Sequence, residues 1–317
     1  MILRRNLKWS LILFYTWKGL LYYLVLAILV YWIHHQGIHL AIPFYAITAF
    51  GTALAIFLGF KNNSAYDRWW EARRLWGTLV NYSRAWTRQV ITFLNDPDAT
   101  SPEEITAFKE KLLHRHIAYV NALRVFLRRK FKYNETGQEE LFQSENEYHD
   151  AEPFLQPSEY VSFSKKNNPP NFLLELQAED LRYAFSQGWL SDYRLVKLEE
   201  TLVEFNNVQG GCERIKNTPL PRHYSFFSRV FVVLHATMLP FAFVDEMGMI
   251  MIPISVLISF IFHSLDLIGE RSEDPFENRL EDVPLTSLCR TIETNVKEQW
   301  GDENLPPAPK NIGGIIF

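Results

Sequence analysis

The sequence has few of the features that mark a secreted scaffold, an enzyme or a nucleic-acid-binding protein. Its 317 residues include only two cysteines, Cys212 and Cys289, which are too few and too far apart for a disulfide framework or a zinc motif. The formal net charge of −4 at pH 7 is small and gives no reason to expect a nucleic-acid partner. There is no phosphate-cradling glycine loop, nucleophile elbow or carboxylate dyad, so no enzyme activity is predicted.

What the chain does have is four long apolar runs, and each is long enough to cross a bilayer, which needs about 20 residues. The runs are residues 10–33, 41–60, 226–244 and 249–268. The first run is too long for a cleaved signal peptide, and no small-residue cleavage site follows it. Short connections inside each pair of runs predict two antiparallel hairpins.

The prediction is therefore an all-α membrane protein with four transmembrane helices. It consists of a first hairpin, a cytosolic helical domain, a second hairpin and a cytosolic tail, at residues 1–60, 61–225, 226–270 and 271–317. Within the middle, long helices are predicted over residues 66–93 (continuous with the second run), 102–129 with Ser101 as N-cap, 172–187 and 191–215. Residues 134–171 are predicted to be a loop with short helical pieces.

The distribution of basic residues predicts the orientation in the membrane. Lys and Arg stay on the cytosolic side of a span, and one end of every run is rich in them: Arg4, Arg5, Lys8, Lys61, Arg68, Arg73, Arg74, Arg222, Arg229 and Arg271. The two hairpin tips, residues 34–40 and 245–248, contain none. We expect both termini to be cytosolic, in a multi-pass protein of the cell (inner) membrane.

The second run contains two stripes at four-residue spacing. Gly51, Ala55 and Gly59 form a small-residue stripe where helices can approach closely. About 100° around the same helix, a second stripe consists of Thr52, Ile56 and Phe60. Those side chains either pack against neighbouring spans or line a narrow apolar constriction that gates by dewetting.

Polar groups follow the second run directly. Asn62 and Asn63 are candidates to coordinate a partly dehydrated ion, or else they cap the junction between membrane and cytosol. A cluster of charged and aromatic residues comes next, formed by Asp67, Arg68, Trp69, Trp70 and Glu71. Trp pairs often anchor a helix at the membrane interface, and mixed charges are usual on solvated faces. The alternative is that the cluster pairs between subunits.

Ionisable residues inside the runs are costly and therefore of interest. Arg229 and Asp266 are both near a cytosolic end, where a pair between them would have a structural role. Five of the nine histidines occur in two groups, His34, His35 and His39 at one tip, and His114 with His116 in the middle region. Exposed histidines are more often without a ligand than with one, so no metal site is predicted.

Three stretches make the sequence similar to a known family. They are GFKNNSAYDRWWEARRLWG at residues 59–77, GGCERIKNTPLPRHYSFF at 210–227 and LDLIGERSEDPFENRLEDVPLTSLCRTIE at 265–293. With the order of the spans, they resemble the bestrophin family, and in particular its compact prokaryotic branch. The resemblance covers nearly the whole chain up to about residue 295.

The resemblance implies a homopentameric ion channel with a central pore, a hydrophobic neck formed by the second spans and a wide cytosolic funnel. Counted without gaps from the RWW motif, the neck positions are Thr52, Ile56 and Phe60, which favours pore lining over simple packing. The family's second constriction is expected in the segment before the third span, around Ile215, Thr218 and Leu220.

Animal bestrophins are opened by calcium held by consecutive acidic residues after an NPF-like motif. Here the stretch after residues 274–276 is Glu277-Asn278-Arg279-Leu280-Glu281-Asp282, in which a basic and an aliphatic residue interrupt the acidic run. Calcium activation is therefore doubtful, and no cofactor is predicted, although hard oxygen ligands are present.

The resulting prediction is a passive channel for inorganic ions, with chloride or other anions favoured by the family label. The uncharged neck does not exclude cations. A non-conducting membrane-anchored scaffold or sensor is the alternative from another class, and a transporter is disfavoured because inverted repeats and broken helices are absent. The expected partners are ions, the lipid bilayer and further copies of the chain.

Overall fold

The computed structural model describes residues 9–95, 102–129 and 148–308, and within these ranges the regular secondary structure is helical. Nine α-helices occur there: α1 Trp9–His35, α2 Phe44–Phe93, α3 Pro102–Arg128, α4 Pro157–Phe163, α5 Pro169–Ser186, α6 Asp192–Asn217, α7 Arg222–Met247, α8 Met251–Ser272 and α9 Leu285–Trp300. Two short 3₁₀ turns, Glu152–Phe154 and Gly248–Ile250, join this set. The predicted N-cap Ser101 and residues 134–147 of the predicted loop lie outside the described residues.

The described chain divides into two compact units. The apolar unit contains residues 9–69 and 219–274, and the polar unit contains residues 70–218 and 275–308 with the gaps given above. Helix α2 contributes to both, because the division falls between Trp69 and Trp70. The predicted boundaries at 60/61, 225/226 and 270/271 separate membrane from cytosol, which is a different division, and they stay predictions. Residues 275–308 of the predicted tail share the polar unit with residues of the predicted middle domain.

The apolar unit consists of α1, the first part of α2, α7 and α8. Helix α8 packs against both α1 and α7, and α1 also contacts α7. A buried cluster joins them, formed by Ala27, Val30, Ile47, Leu239, Ala242, Phe243, Val244 and Met251. Outside this cluster the surface is unusually apolar, with exposed residues such as Leu13, Trp32, Leu234 and Leu257. Large exposed apolar surfaces are typical of proteins that meet lipid or further subunits.

Three helical segments of the described chain are long and apolar enough to cross a membrane. They are Ser10–His35, Phe44–Phe93 and Arg222–Ser272. The third contains two helices, α7 and α8, which meet at the 3₁₀ turn Gly248–Ile250. Gly248 has a positive φ of 54°, a conformation that glycine adopts at no steric cost.

The polar unit is built around α3, which packs against α5, α6 and α9. The second part of α2 supplies two tryptophans without solvent exposure, Trp76 and Trp86. Trp86 packs edge-on against Phe205 of α6 at a centroid distance of 6.1 Å. The apolar period of residues 66–93 thus indicated a long helix correctly, and its end at Phe93 is confirmed.

Helix α9 was not predicted, since its sequence was assigned to a charged tail. It buries Leu285, Cys289, Ile292 and Val296, which follow a period of three to four residues. The Cys289 thiol points to the Val120 carbonyl of α3 at 3.6 Å. The signal was present as a four-residue apolar spacing, but the surrounding charges concealed it.

His116 of α3 is a buried group whose charge state affects stability. Its Nε2 lies 2.8 Å from Ser83 Oγ, and its ring lies 4.6 Å from that of Phe205. Burial lowers the pKa of His116 from 6.5 to about 3. The folded protein therefore keeps this imidazole neutral at pH values where the unfolded chain protonates it.

We expect acid to destabilise the polar unit through His116. Between its unfolded and folded pKa values the unfolded chain binds more protons, so stability falls as pH drops below 6.5. From pH 7 to pH 5 the loss from this residue is on the order of 2 kcal/mol. As the pH is lowered from 7 to 5, the thermal unfolding midpoint in detergent should therefore fall less steeply in His116→Gln than in the wild type. His114→Gln, on the same helix but partly exposed, should keep the wild-type slope, and equal slopes in all three proteins would contradict this account.

Candidate functional site

Helix α2 has a buried face that attaches it to the rest of the apolar unit. Ile47, Leu54 and Leu58 are each at most 2% exposed, and their spacings of seven and four residues place them on one helix face. Leu54 and Leu58 pack against Val232 of α7. Gly51 lies on the same face, where a Cβ atom would be 2.7 Å from His235 Nε2, so α2 and α7 approach closely only because this residue is glycine.

The opposite face of α2 carries the predicted neck residues. Thr52, Ile56 and Phe60 are all exposed on the isolated chain, Ile56 by 58% and Phe60 by 68%. Thr52 Oγ1 donates to the Thr48 carbonyl at 2.9 Å, which leaves its methyl group as the part of the side chain free to face outward. The stripe is therefore available to another molecule or another copy, and it is not used for packing within the chain.

A buried ion pair stabilises this arrangement immediately after Phe60. Lys61 Nζ lies 2.7 Å from Asp266 Oδ1 of α8, and the two side chains are 1% and 8% exposed. Lys61 Nζ also donates to Ser228 Oγ of α7 at 2.8 Å, and the Ser228 hydroxyl donates to Asp266 Oδ1 at 2.7 Å. One lysine thus joins α2, α7 and α8.

Arg229 and Asp266, which the sequence offered as possible partners, do not form the ion pair. Arg229 Nη2 instead meets Glu270 Oε1 at 2.5 Å, while Asp266 is bound by Lys61. In the sequence, the actual partner of Asp266, Lys61, counted only as one of the basic residues that predict the orientation in the membrane. The signal that indicates it is positional, because Lys61 and Asp266 are opposite charges near the cytosolic ends of two apolar runs.

The two asparagines below the stripe are separated by the structure. Asn62 Nδ2 donates to the Leu265 carbonyl of α8 at 3.0 Å, and its Oδ1 occupies the space beside Gly269 that a Cβ atom there would need. Adjacent helix residues point about 100° apart, so Asn62 faces α8 while Asn63 is exposed on the side of Phe60. The contact of Asn62 with α8 favours the interpretation that it caps the junction between membrane and cytosol. The role of both asparagines below the neck stays a prediction.

The charged and aromatic cluster is partly engaged within the chain. In the apolar unit, Arg68 Nε donates to the Glu273 carbonyl at 2.9 Å, and Trp69 stacks on Tyr66 at 6.4 Å. Asp67 is exposed. In the polar unit, Glu71 pairs with Arg214 at 2.5 Å, and Trp70 is 51% exposed. Since the Arg214 side chain is 66% exposed, this ion pair is compatible with a solvated face, and pairing between subunits stays a prediction.

The predicted second constriction falls on residues with different surroundings. Ile215 is 3% exposed near the end of α6, so its side chain lies in the core of the polar unit. This burial argues against Ile215 as a pore-lining residue. Thr218 is the C-cap of α6 and is exposed, and Leu220 is half-buried, so these two stay predictions.

The segment that corresponds to the calcium-binding stretch forms a compact turn. The Val283 amide donates to the Pro275 carbonyl at 3.2 Å, and the Arg279 amide donates to Asp282 Oδ2 at 3.1 Å. The ammonium of Lys216 binds the Glu277 carboxylate directly. Burial raises the pKa of Asp282 to about 6, although Arg279 opposes this effect. One carboxylate thus already has a cation, and another is disfavoured in its charged form.

The histidines of the middle region do not form a ligand set. His116 is buried against Ser83 and Phe205, whereas His114 is partly exposed and faces the ring of Phe154 at 5.8 Å. In the apolar unit, His34 and His39 are brought together with an acidic residue, Asp245.

These features define a helical membrane protein in which one long helix presents an apolar face outward. The family model of the Bacterial/Fungal Bestrophin protein matches residues 6–298. The chain therefore belongs to the bestrophin family, in its bacterial and fungal branch, as the sequence resemblance predicted. An ion channel family of this kind is not an enzyme family.

Named relatives and solved structures agree with this assignment. The voltage-dependent anion channel-forming protein YneE of Escherichia coli K12 is 34% identical over 275 residues, which cover 87% of this chain and 82% of the relative. YneE of Salmonella typhi is 32% identical over 319 residues and 96% of both chains. A bacterial bestrophin homologue from Klebsiella pneumoniae matches with a TM-score of 0.76 at 29% identity, covering 90% of this chain and 98% of that one.

We expect loss of either charge of the buried pair to destabilise the protein strongly. Lys61→Met leaves Asp266 buried without a cation, and Asp266→Asn leaves Lys61 without an anion. Each should lower the free energy of unfolding by about 3–5 kcal/mol. Arg229→Gln, which removes a more exposed ion pair between α7 and α8, should cost at most about 1 kcal/mol. Thermal unfolding in detergent measures both, and a Lys61→Met protein as stable as Arg229→Gln would contradict the role assigned to the pair.

Proposed function

We propose that the chain is an ion channel whose pore is lined by the outward face of α2. The observation that supports this most directly is the combination on one helix of an anchored face and an exposed apolar stripe, with Ile56 58% and Phe60 68% exposed. Exposed apolar residues on a membrane helix meet either lipid or a further subunit. The family resemblance, which gives these three positions to the neck, favours a shared axis for this stripe.

The oligomer that we propose is a homopentamer, as the family resemblance implies. In it, α1, the first part of α2, α7 and α8 are four separate spans, with both termini on the cytosolic side of the inner membrane. The helix order and the basic flanks at Arg68, Arg222 and Arg271 support this topology. The mass of protein in the native complex, without the bound detergent, should be five times that of one chain. A protein mass of one chain contradicts the pore proposal.

Conduction through this neck is governed by wetting. A ring of Phe60 and Ile56 side chains is too apolar to hold water when narrow, so it blocks ions without a charged barrier. Widening the ring, or replacing its side chains by smaller ones, lets water and hydrated ions enter. The Thr52 hydroxyl donates to the helix backbone, but its oxygen can still accept a hydrogen bond, so we expect a mildly wetter ring there than at Ile56 and Phe60.

The ions that we propose are anions, with chloride as the physiological candidate. The support is the relatives at 32–34% identity, which are named as anion channel-forming proteins. Passage of cations is the second candidate, because none of Thr52, Ile56 and Phe60 carries a charge that selects a sign. A non-conducting scaffold is the outcome if reconstituted protein gives no current.

We also propose that calcium does not activate this channel. The residues in the position of the family's calcium-binding stretch include Glu277, already bound by Lys216, and Asp282, whose raised pKa opposes the charged form. A calcium site needs several charged or carbonyl oxygens directed at one point. Currents should therefore be the same with micromolar calcium and with calcium chelated.

The neck assignment is tested in planar bilayers with asymmetric salt. Ile56→Ala and Phe60→Ala should each raise single-channel conductance or open probability, because smaller side chains widen and wet the ring. Ile28→Ala is a matched control, since Ile28 is also exposed, by 49%, but lies on α1. It should leave the currents unchanged.

The same recordings decide the ion class and the rival functions. A reversal potential near the equilibrium potential of chloride supports the anion proposal. A reversal potential near that of the cation contradicts it and supports a cation channel. Wild-type currents in both Ile56→Ala and Phe60→Ala contradict the neck, whichever ion passes.

A further inference from the structure

Two chain segments that are far apart in sequence meet at one end of the apolar unit. The first is the connection from α1 to α2. His34 is the last but one residue of α1, and His39 follows the end of this helix by four residues. The second is the end of α7, with Asp245. The Ile42 amide donates to the Phe241 carbonyl at 3.1 Å and holds the two segments together. Three side chains with metal-binding atoms are thereby placed side by side.

The distances suit a single metal ion. One ligand atom each of His34, His39 and Asp245 can be chosen so that all three lie within 4.8 Å of one another. His34 Nδ1 and Asp245 Oδ1 are 3.5 Å apart. In a tetrahedral zinc site with bonds of about 2.0–2.2 Å, neighbouring ligand atoms are separated by roughly 3.3–3.6 Å. The site therefore requires side-chain rotations that close the wider separations, of up to 4.8 Å, to this value.

The burial of His34 Nδ1 and its lack of a hydrogen bond indicate that the cluster is more than a surface ion pair. Its Nδ1 atom is shielded from solvent and has no hydrogen-bond partner, although it is directed toward Asp245. A buried ring nitrogen without a partner is unfavourable, and coordination of a cation satisfies it. His39 adds a second imidazole, whose ring meets that of His34 at 5.8 Å and 76°. A simple His–Asp pair gives no role to this second ring.

We propose that His34, His39 and Asp245 form a zinc site that ties the α1–α2 connection to the end of α7. Two imidazoles and one carboxylate are ligands that Zn²⁺ accepts in tetrahedral geometry, with water in the fourth position. His39 and Asp245 are exposed, which gives the ion a path from solvent. The sequence alone did not predict this site, because Asp245 belongs to a different hairpin tip from the histidines.

The site has consequences for the neck helix. His39 precedes α2 by a few residues, so a bound ion restrains the start of the helix that carries Thr52, Ile56 and Phe60. The proposal for zinc binding does not depend on the proposed channel function, because binding and stability are measured without any current.

The experiment is a titration of ZnCl₂ into the purified full-length chain in detergent, after metal is removed with a chelator. Calorimetry should show saturable binding of one zinc per chain. His34→Ala, His39→Ala and Asp245→Asn should each weaken binding at least about tenfold, the loss found even for groups that merely orient ligands. His35→Ala and Glu246→Gln are matched controls next to the site, because His35 stacks on Tyr31 instead, and both should bind as the wild type does.

A thermal unfolding assay provides a second readout. Zinc should raise the unfolding midpoint of the wild type and of both control variants, but not that of the three site variants. Should an alanine variant give no folded protein, His34→Gln and His39→Gln replace it, since they keep side-chain size but remove the imidazole. Absence of saturable binding overturns the proposal. So do unchanged affinity in the histidine variants and an equal loss in His35→Ala.

Discussion

The arrangement of the apolar unit depends on the ion pair between Lys61 and Asp266. Two charges that are 1% and 8% exposed are tolerated in an apolar surrounding only when they meet closely, here at 2.7 Å. The Ser228 hydroxyl adds one hydrogen bond to each of the two groups. Because the pair joins α2 to α7 and α8 at one height, it fixes the rotation of α2 about its own axis.

That rotation decides which residues of α2 are exposed. With Lys61, Leu58, Leu54 and Gly51 turned inward, the helix period places Phe60, Ile56 and Thr52 outward. If α2 were rotated about its own axis by one residue, about 100°, Asn62 would no longer face α8 and the apolar stripe would no longer face outward. The contact of Asn62 with the Leu265 carbonyl and the close approach of His235 to Gly51 support the same setting. The exposed stripe is thus a consequence of the charges beside it.

Much of this could be predicted from the sequence, and the failures have identifiable physical causes. Hydropathy placed the apolar helices, and the 3.6-residue period identified α2 through Phe93, because these signals are local. The partner of Asp266, the inward orientation of Asn62 and the burial of Ile215 depend on contacts between distant segments, which one sequence does not reveal. Helix α9 was missed because charges between its buried residues resembled a solvated tail. The cluster of His34, His39 and Asp245 required both connections to be seen together.

The central claim is that the outward face of α2 lines a conducting pore, and cysteine accessibility tests it most directly. The native thiols Cys212 and Cys289 are 0% and 3% exposed, so a charged thiol reagent should leave wild-type currents unchanged. Ile56→Cys should lose or strongly alter its current on addition of the reagent, because the added charge lies in the neck. Ile28→Cys on α1 should be labelled without effect. Ile56→Cys channels that conduct normally after complete labelling would contradict the account.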